Sequence, residues 1–377
     1  MGFLLVPYAE FILYPFLHII SVNFNVDFKN YKEDKNMIIN RGYEAIQEIG
    51  TKKVGLEGLI RTADEMETKW NDDFVSGYQA FPLMLTKDGD VQYLRNGSES
   101  VKADLTENAF SQICQRAGVP SVYMRKCLDS GRGELAAENF SSWAQTATKD
   151  PVSIRVRMYD GIVHAVLTPQ YNPFDHPEIL YGIQKAVGND GRYEANEAFL
   201  SPDRMHIRFV DFNNPLNVNN DKLYSGFTVS SSNIGDGAFS IKYFLYRFAC
   251  RNGMVRIQHG GVLFRQTHLK EFLQDGESLF RDAIDQMHVL DRISEQQINV
   301  AMGKKLSIQE LGFYLDKAQK ELGLGKKGRQ EAEAMIGSVY DQTLWGLANT
   351  ITERAKSYTL DTRLNMEQWA GNLLSAA

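Results

Sequence analysis

The chain has little cysteine, no excess of basic residues and none of the short motifs typical of phosphate-binding or zinc enzymes. Its three cysteines, Cys114, Cys127 and Cys250, are too few and too scattered for a disulfide framework, which favours a reducing cytoplasm. Lys and Arg number 41 against 47 Asp and Glu, so any nucleic-acid site must be a local patch. Neither G-x-x-x-x-G-K-S/T nor H-E-x-x-H occurs. We therefore expect a non-enzymatic protein without a cofactor or metal site.

The overall composition is that of a globular protein. Hydrophobic residues make up 43% of the 377 residues and charged residues 23%, as in ordinary soluble chains. Strand-like patterns dominate up to Arg265 and helical patterns follow it. We expect an α+β fold, a mainly antiparallel sheet with packed helices, followed by a helical C-terminal region. The predicted boundaries are 37–265 for the sheet domain and 266–377 for the helical region.

The first 36 residues contain an apolar segment that lies before a second methionine, Met37. The segment from Phe3 to Val22 is apolar, but Glu10 interrupts it and no Lys or Arg precedes it, so it lacks the basic region of a signal peptide. Residues 32–34 can be encoded by a purine run that resembles a bacterial ribosome-binding site just upstream of Met37. We expect Met37 to be the true start and residues 1–36 to be a translated leader. A membrane or targeting segment and a genuine structural element are the alternatives.

The stretch from Leu223 to Ile257 organises the predicted sheet. The run from Phe239 to Cys250 carries apolar residues on both faces of a pleated strand, which predicts a strand in the middle of a sheet. Asn252-Gly253 is typical of a tight hairpin turn, after which Met254 to Ile257 can return as the next strand.

A second hairpin is predicted between Ile154 and Leu167, around the turn Tyr159-Asp160-Gly161. Arg155 and Arg157 alternate with apolar residues, so one face is expected to be buried and the other to be solvated and basic. In the C-terminal region, Ser294 and Ser307 each have Gln or Glu three residues later. This spacing predicts capping boxes at two helix starts.

Five segments in register resemble the domain-of-unknown-function 932 family of phage- and plasmid-related proteins. They are AFSQICQRAGVPSVYMRK, ELAAENFSSW, VRMYDGIVHAVLTPQYNPFDHPEIL, YFLYRFACRNGM and TLWGLANTITERA, which together span about residues 80 to 360. The SSSNIGDGA segment departs from the family pattern, and His164 stands where a basic residue is expected. The resemblance implies a mobile-element context and a distant likeness to phage single-strand annealing proteins.

A candidate nucleic-acid site follows from the charge pattern. Between Arg204 and Arg265 there are eight Lys or Arg and three Asp. If these strands share a sheet with the basic hairpin, cations could follow a single-stranded backbone while tyrosines stack on bases. The candidate residues are Arg155, Arg157, Lys242, Arg247, Arg251, Arg256, Tyr243 and Tyr246. The alternative is that the aromatics belong to the core and the arginines pair with acidic groups elsewhere.

We therefore expect a cytoplasmic, phage- or plasmid-related protein that binds or anneals single-stranded nucleic acid in mobile-element recombination, as a homo-oligomer and without a membrane partner. One alternative is an interaction protein that inhibits a host defence system, with a host defence protein as its partner. A metal-dependent nuclease is disfavoured, because no clustered carboxylate and His motif is found.

Overall fold

The computed structural model describes residues 55–77, 81–146, 152–187, 192–218, 221–247, 252–255, 261–268 and 276–375. The expected leader, residues 1–36, and Met37 lie outside these ranges.

Up to Gln266 the described residues form runs of strands separated by one to three helices, and helices follow. The strands are β1 (Trp70–Gly77), β2 (Leu83–Leu85), β3 (Val91–Arg95), β4 (Glu99–Ala103), β5 (Val152–Tyr159), β6 (Ile162–Leu167), β7 (Tyr193–Leu200), β8 (Arg204–Val218), β9 (Asp221–Ser232), β10 (Phe239–Arg247), β11 (Asn252–Val255) and β12 (Val262–Gln266). The helices are α1 (Leu56–Glu67), α2 (Glu107–Ala117), α3 (Ser121–Asp129), α4 (Gly133–Thr146), α5 (His176–Val187), α6 (Gly276–Gly303), α7 (Ile308–Leu322), α8 (Lys326–Met335), α9 (Leu344–Ala355) and α10 (Leu360–Ser375).

The fold belongs to the α+β class, as predicted. In the described part of the chain the strands form three antiparallel sheets, with the orders β1-β5-β6, β2-β3-β4 and β11-β10-β9-β8-β7. The last sheet has a sixth strand, β12, which also pairs with β10. Helices α6 to α10 follow the last strand, which confirms the helical C-terminal region.

Strand β10 lies inside the six-stranded sheet, as its apolar composition predicts. It pairs with β9 on one side and with β11 and β12 on the other, and most of its side chains are buried. The predicted turn at Asn252-Gly253 is wrong, because these two residues are strand residues that pair with Arg247 and Tyr246. Residues 248–251, which connect the two strands, lie outside the described ranges.

Local signals explain several element ends. Asp160 and Gly161 both have positive φ, at 50° and 83°, which gives the predicted hairpin turn between β5 and β6. Ser307 forms the predicted capping box with Glu310 at the start of α7. The box predicted at Ser294 is wrong, because this residue is buried inside the 28-residue helix α6. Its side of the helix packs into the core, and tertiary packing outweighs the local capping signal.

Two large hydrophobic cores organise the described residues, beside two smaller clusters. The larger contains one face of the six-stranded sheet together with helices α1, α5 and the C-terminal helices, so the helical region packs directly on the sheet. The second core joins the two three-stranded sheets to helices α2, α3 and α4. Within the described ranges, no helix is long and apolar enough to cross a membrane.

Candidate nucleic-acid interface

The predicted binding residues are divided between two sheets. Arg155 and Arg157 lie on β5, in the sheet β1-β5-β6, whereas Lys242 and Arg247 lie on β10 in the six-stranded sheet. The prediction of one continuous basic surface required these strands to share a sheet. Because they do not, the arginines of β5 cannot extend the row of cations on β10.

Arg157 is buried in a cluster of acidic and aromatic groups. Its guanidinium donates to Asp72 Oδ1 at 2.9 Å, to Asp175 Oδ1 at 3.1 Å and to the carbonyl oxygen of Asn233 at 3.1 Å. It also lies 4.8 Å from the ring centroid of Trp70. The predicted solvated basic face of this hairpin is therefore wrong at Arg157, because acidic partners distant in sequence neutralise the charge.

Arg155 has a similar partner. Its Nη1 lies 3.3 Å from Asp72 Oδ2, and its guanidinium covers the ring of Phe74 on the neighbouring strand at 4.8 Å. The side chain is 13% exposed. Both arginines thus follow the alternative in which they pair with acids elsewhere in the fold.

The two tyrosines also belong to the interior. Tyr243 is fully buried on the apolar face of the sheet, and its hydroxyl donates to Asp291 Oδ1 at 3.0 Å. Tyr246 is buried on the opposite face, in a small cluster with Val210 and Phe244. Neither ring is available for stacking on a base in this conformation.

The remaining predicted cations are distributed along β10 and beyond it. Arg247 is half-buried at the end of the strand, opposite Leu223 and Asn252. Arg251 and Arg256 lie outside the described residues. Of the predicted cations that the structure describes, Lys242 lies beside polar side chains of the neighbouring strands.

Strand pairing places Lys242 on a polar surface of the six-stranded sheet. Residues directly opposite in an antiparallel pair share a face, and the side-chain period along a strand is two. The register therefore gives two adjacent rows across the sheet. We call the seven residues of these rows the polar face: Arg265, Ser240, Ser230 and His206 in one row, and Lys242, Thr228 and Arg208 in the next.

Two cations of the polar face have no acidic partner in the part of the chain that the structure describes. Neither Lys242 nor Arg265 makes an ion pair with any residue in the described ranges. Burial lowers the pKa of the Lys242 ammonium, and the nearby positive charge of Arg265 lowers it further. Lys242 is half-buried and Arg265 is exposed, so the pair is accessible from solvent. Their mutual repulsion would be relieved by a bound anion.

Hydrogen-bonding groups lie beside these cations on strands β9 and β8. His206 Nδ1 lies 2.9 Å from Ser230 Oγ, while His206 Nε2 and Thr228 Oγ1 are buried without a hydrogen-bond partner in the part of the chain that the structure describes. Burial lowers the pKa of His206 from 6.5 to about 3, with a contribution from Arg208, so the ring is neutral at pH 7.

A buried ion-pair network closes one side of the polar face. Arg208 pairs with Glu197 on β7 at 3.0 Å and with Glu367 on α10, and Arg363 of α10 bridges the same two carboxylates. The two carboxylates neutralise the charge of Arg208, and helix α10 covers the β8 side of the polar face. The open side lies towards β10 and β12, where Lys242 stands opposite the exposed Val262.

The sequence contains a signal for this face that a search for apolar runs overlooks. In β8, His206 and Arg208 alternate with Met205, Ile207 and Phe209, and in β9, Thr228 and Ser230 alternate with Phe227 and Val229. Ser240 and Lys242 continue the pattern in β10. Comparing the period-two patterns of these three strands would have grouped their polar residues. Arg265 lies on a fourth strand, β12, and joins the group only through the pairing of β12 with β10.

Comparison of the chain with protein-family models, curated proteins and solved structures finds no match. Among the described residues, no group of three or more His, Cys, Asp or Glu side chains could hold a metal ion.

Proposed function

We propose that the protein binds the phosphate backbone of single-stranded nucleic acid at the polar face, with Lys242 and Arg265 as the principal cations. The observation that carries the proposal is the proximity of these two cations without a carboxylate partner in the described ranges. An anion placed between them gains two charge-assisted contacts without first breaking an ion pair.

Both cations contact phosphate oxygens in this proposal, because Lys242 is half-buried and Arg265 is exposed on the open side of the polar face. Such contacts position a backbone without reading its bases, so binding is expected to be independent of sequence. The resemblance to phage- and plasmid-related proteins predicts a setting in which such binding serves annealing during recombination.

The test measures the affinity for a labelled single-stranded oligonucleotide over a series of salt concentrations. Each phosphate neutralised on a single strand contributes about −0.7 to the slope of log K against log salt. The double variant Lys242→Met with Arg265→Gln should therefore bind more weakly and flatten the slope by about 1.4. The control is Lys326→Met with Lys327→Gln, which removes the same charge from the exposed start of α8.

Two results would contradict the proposal. One is the absence of oligonucleotide binding by the parent protein at low salt, which would favour the inhibitor of a host defence system instead. The other is a double variant that melts like the parent and keeps its affinity and slope. If binding is found, acceleration of the pairing of complementary strands by the parent, and its loss in the double variant, tests the annealing role.

A further inference from the structure

Helix α6 presents an apolar stripe that the rest of the described chain leaves in solvent. Val289 and Val300 are each 52% exposed and Ile293 is 37% exposed. With Gln296, these residues follow spacings of four, three and four, which place them on one line along the helix. The opposite side of the same helix packs into the larger core through buried residues such as Met287 and Ile298.

The charges at the two ends of this stripe have opposite signs. Asp285 lies exposed one turn before Val289, and Lys304 lies one turn after Val300. The N–H of Lys304 donates to the Val300 carbonyl at 3.0 Å, so its backbone continues the helical line. Neither side chain forms an ion pair with another residue in the described ranges.

We propose that this stripe binds the same stripe of a second copy of the chain, in an antiparallel arrangement about a two-fold axis between residues 294 and 295. This axis places Val289 opposite the second copy's Val300, and Ile293 opposite Gln296. It also places Asp285 opposite Lys304, twice in the dimer. A two-fold interface must be complementary to itself, and the apolar centre with an acidic and a basic end meets this condition in the antiparallel direction.

A mixing experiment between two cysteine variants tests the direction and the register. In the proposed dimer, a cysteine at position 289 faces one at position 300, whereas two cysteines at position 289 are about 16 Å apart along the helix axis. A disulfide requires Cα atoms within about 7 Å. A mixture of Val289→Cys and Val300→Cys chains should therefore form a covalent dimer under mild oxidation, and neither variant alone should do so. The parent chain, with its native cysteines, is the control.

A charge exchange tests the same register without cysteine chemistry. Asp285→Lys and Lys304→Asp each place like charges opposite one another, and each should raise the dimer dissociation constant about tenfold. The combined variant restores opposite charges and should return to the parent value. Sedimentation equilibrium measures all four proteins, and thermal melting checks that each is folded.

The proposal fails if the parent is monomeric throughout the micromolar range. It also fails if either single cysteine variant cross-links as readily as the mixture, or if the combined charge variant dimerises no better than the single ones. These readouts do not involve nucleic acid, so the interface and the proposed function are tested separately.

Discussion

The hydroxyl of Tyr243, on the central strand β10, donates a hydrogen bond to Asp291 of helix α6 at 3.0 Å. Burial raises the pKa of Asp291, while hydrogen bonds from Tyr243 and Ser225 oppose that shift. Tyr243→Phe removes one of these donors and leaves the partly buried carboxyl with fewer hydrogen bonds. We expect this variant to lose about 1–3 kcal/mol of unfolding free energy, measured by denaturant titration.

A matched control is available on the surface. The hydroxyl of Tyr181 donates to Asp64 Oδ2 at 2.8 Å, but this pair is exposed. Tyr181→Phe should therefore change the unfolding free energy by less than about 0.5 kcal/mol. Equal effects of the two substitutions would show that burial does not determine the strength of the Tyr243 contact.

The ion-pair network of Arg208, Glu197, Glu367 and Arg363 should be sensitive to the loss of a single carboxylate. Glu367→Gln leaves the fully buried Arg208 with Glu197 as its one remaining carboxylate. Breaking a buried ion pair from one side costs about 3–5 kcal/mol, since the other charge remains desolvated. Denaturant unfolding of the variant measures this loss.

The control for Glu367→Gln is a substitution in a solvent-exposed pair of Glu and Arg. Glu277→Gln breaks the exposed pair with Arg281 on helix α6 and should cost about 0.3–0.5 kcal/mol. If Glu367→Gln costs no more than that, the network does not hold α10 on the sheet.

Gly226 lies where β9 passes close to its neighbours. A Cβ atom at this position would lie 2.1 Å from the carbonyl oxygen of Phe209 and 2.7 Å from the ring of Phe244. Because a backbone oxygen cannot move aside without shifting β8, Gly226→Ala should destabilise the protein by at least about 1–3 kcal/mol. The melting temperature and denaturant midpoint should both fall.

We expect substitution of Gly312 to raise the unfolding free energy in the same assay. Gly312 lies in helix α7, and no atom of the described residues comes within 4 Å of its Cβ position. Alanine is favoured over glycine inside a helix, so Gly312→Ala should stabilise by about 0.5–1 kcal/mol. If Gly312→Ala also destabilised the protein, the loss at Gly226 could not be attributed to steric crowding of the new Cβ atom.

Glu67, the last residue of α1, should make stability depend on pH. Its partial burial, together with the nearby negative charge of Asp175, raises its pKa from 4.5 to about 7. Between these values the unfolded chain has lost the proton and the native state still holds it. The free energy of unfolding should therefore fall as the pH rises from about 4.5 to about 7. The fall should be well below about 1.4 kcal/mol for each pKa unit, because solvent screens a partly exposed carboxyl.

Glu67→Gln removes this contribution at every pH. The stability of the variant relative to the parent should therefore increase between pH 4.5 and pH 7, measured by denaturant unfolding at several pH values. Glu65→Gln, at an exposed position of the same helix, is the control. Parallel curves for the parent and Glu67→Gln would contradict the raised pKa.

Features that depend on neighbouring residues could be predicted from the amino-acid sequence alone. The apolar run from Phe239 predicted a central strand, Asp160-Gly161 predicted a hairpin turn, and Ser307 with Glu310 predicted a helix start. These predictions hold because turn dihedrals, capping hydrogen bonds and side-chain alternation act over a few residues. The α+β class followed from the same patterns.

The pairing of distant charges depends on the fold of the whole chain. Arg157 pairs with Asp72, which is 85 positions away, and Arg208 pairs with Glu367 across 159 positions. Local sequence does not specify such partners, because they depend on which strands and helices come together. The same packing neutralised Arg155 and Arg157, buried Tyr243, and left Lys242 beside Arg265 without an acidic partner among the described residues. Side-chain alternation could have grouped the polar face, but the absence of a counter-charge there could be seen only after the chain had folded.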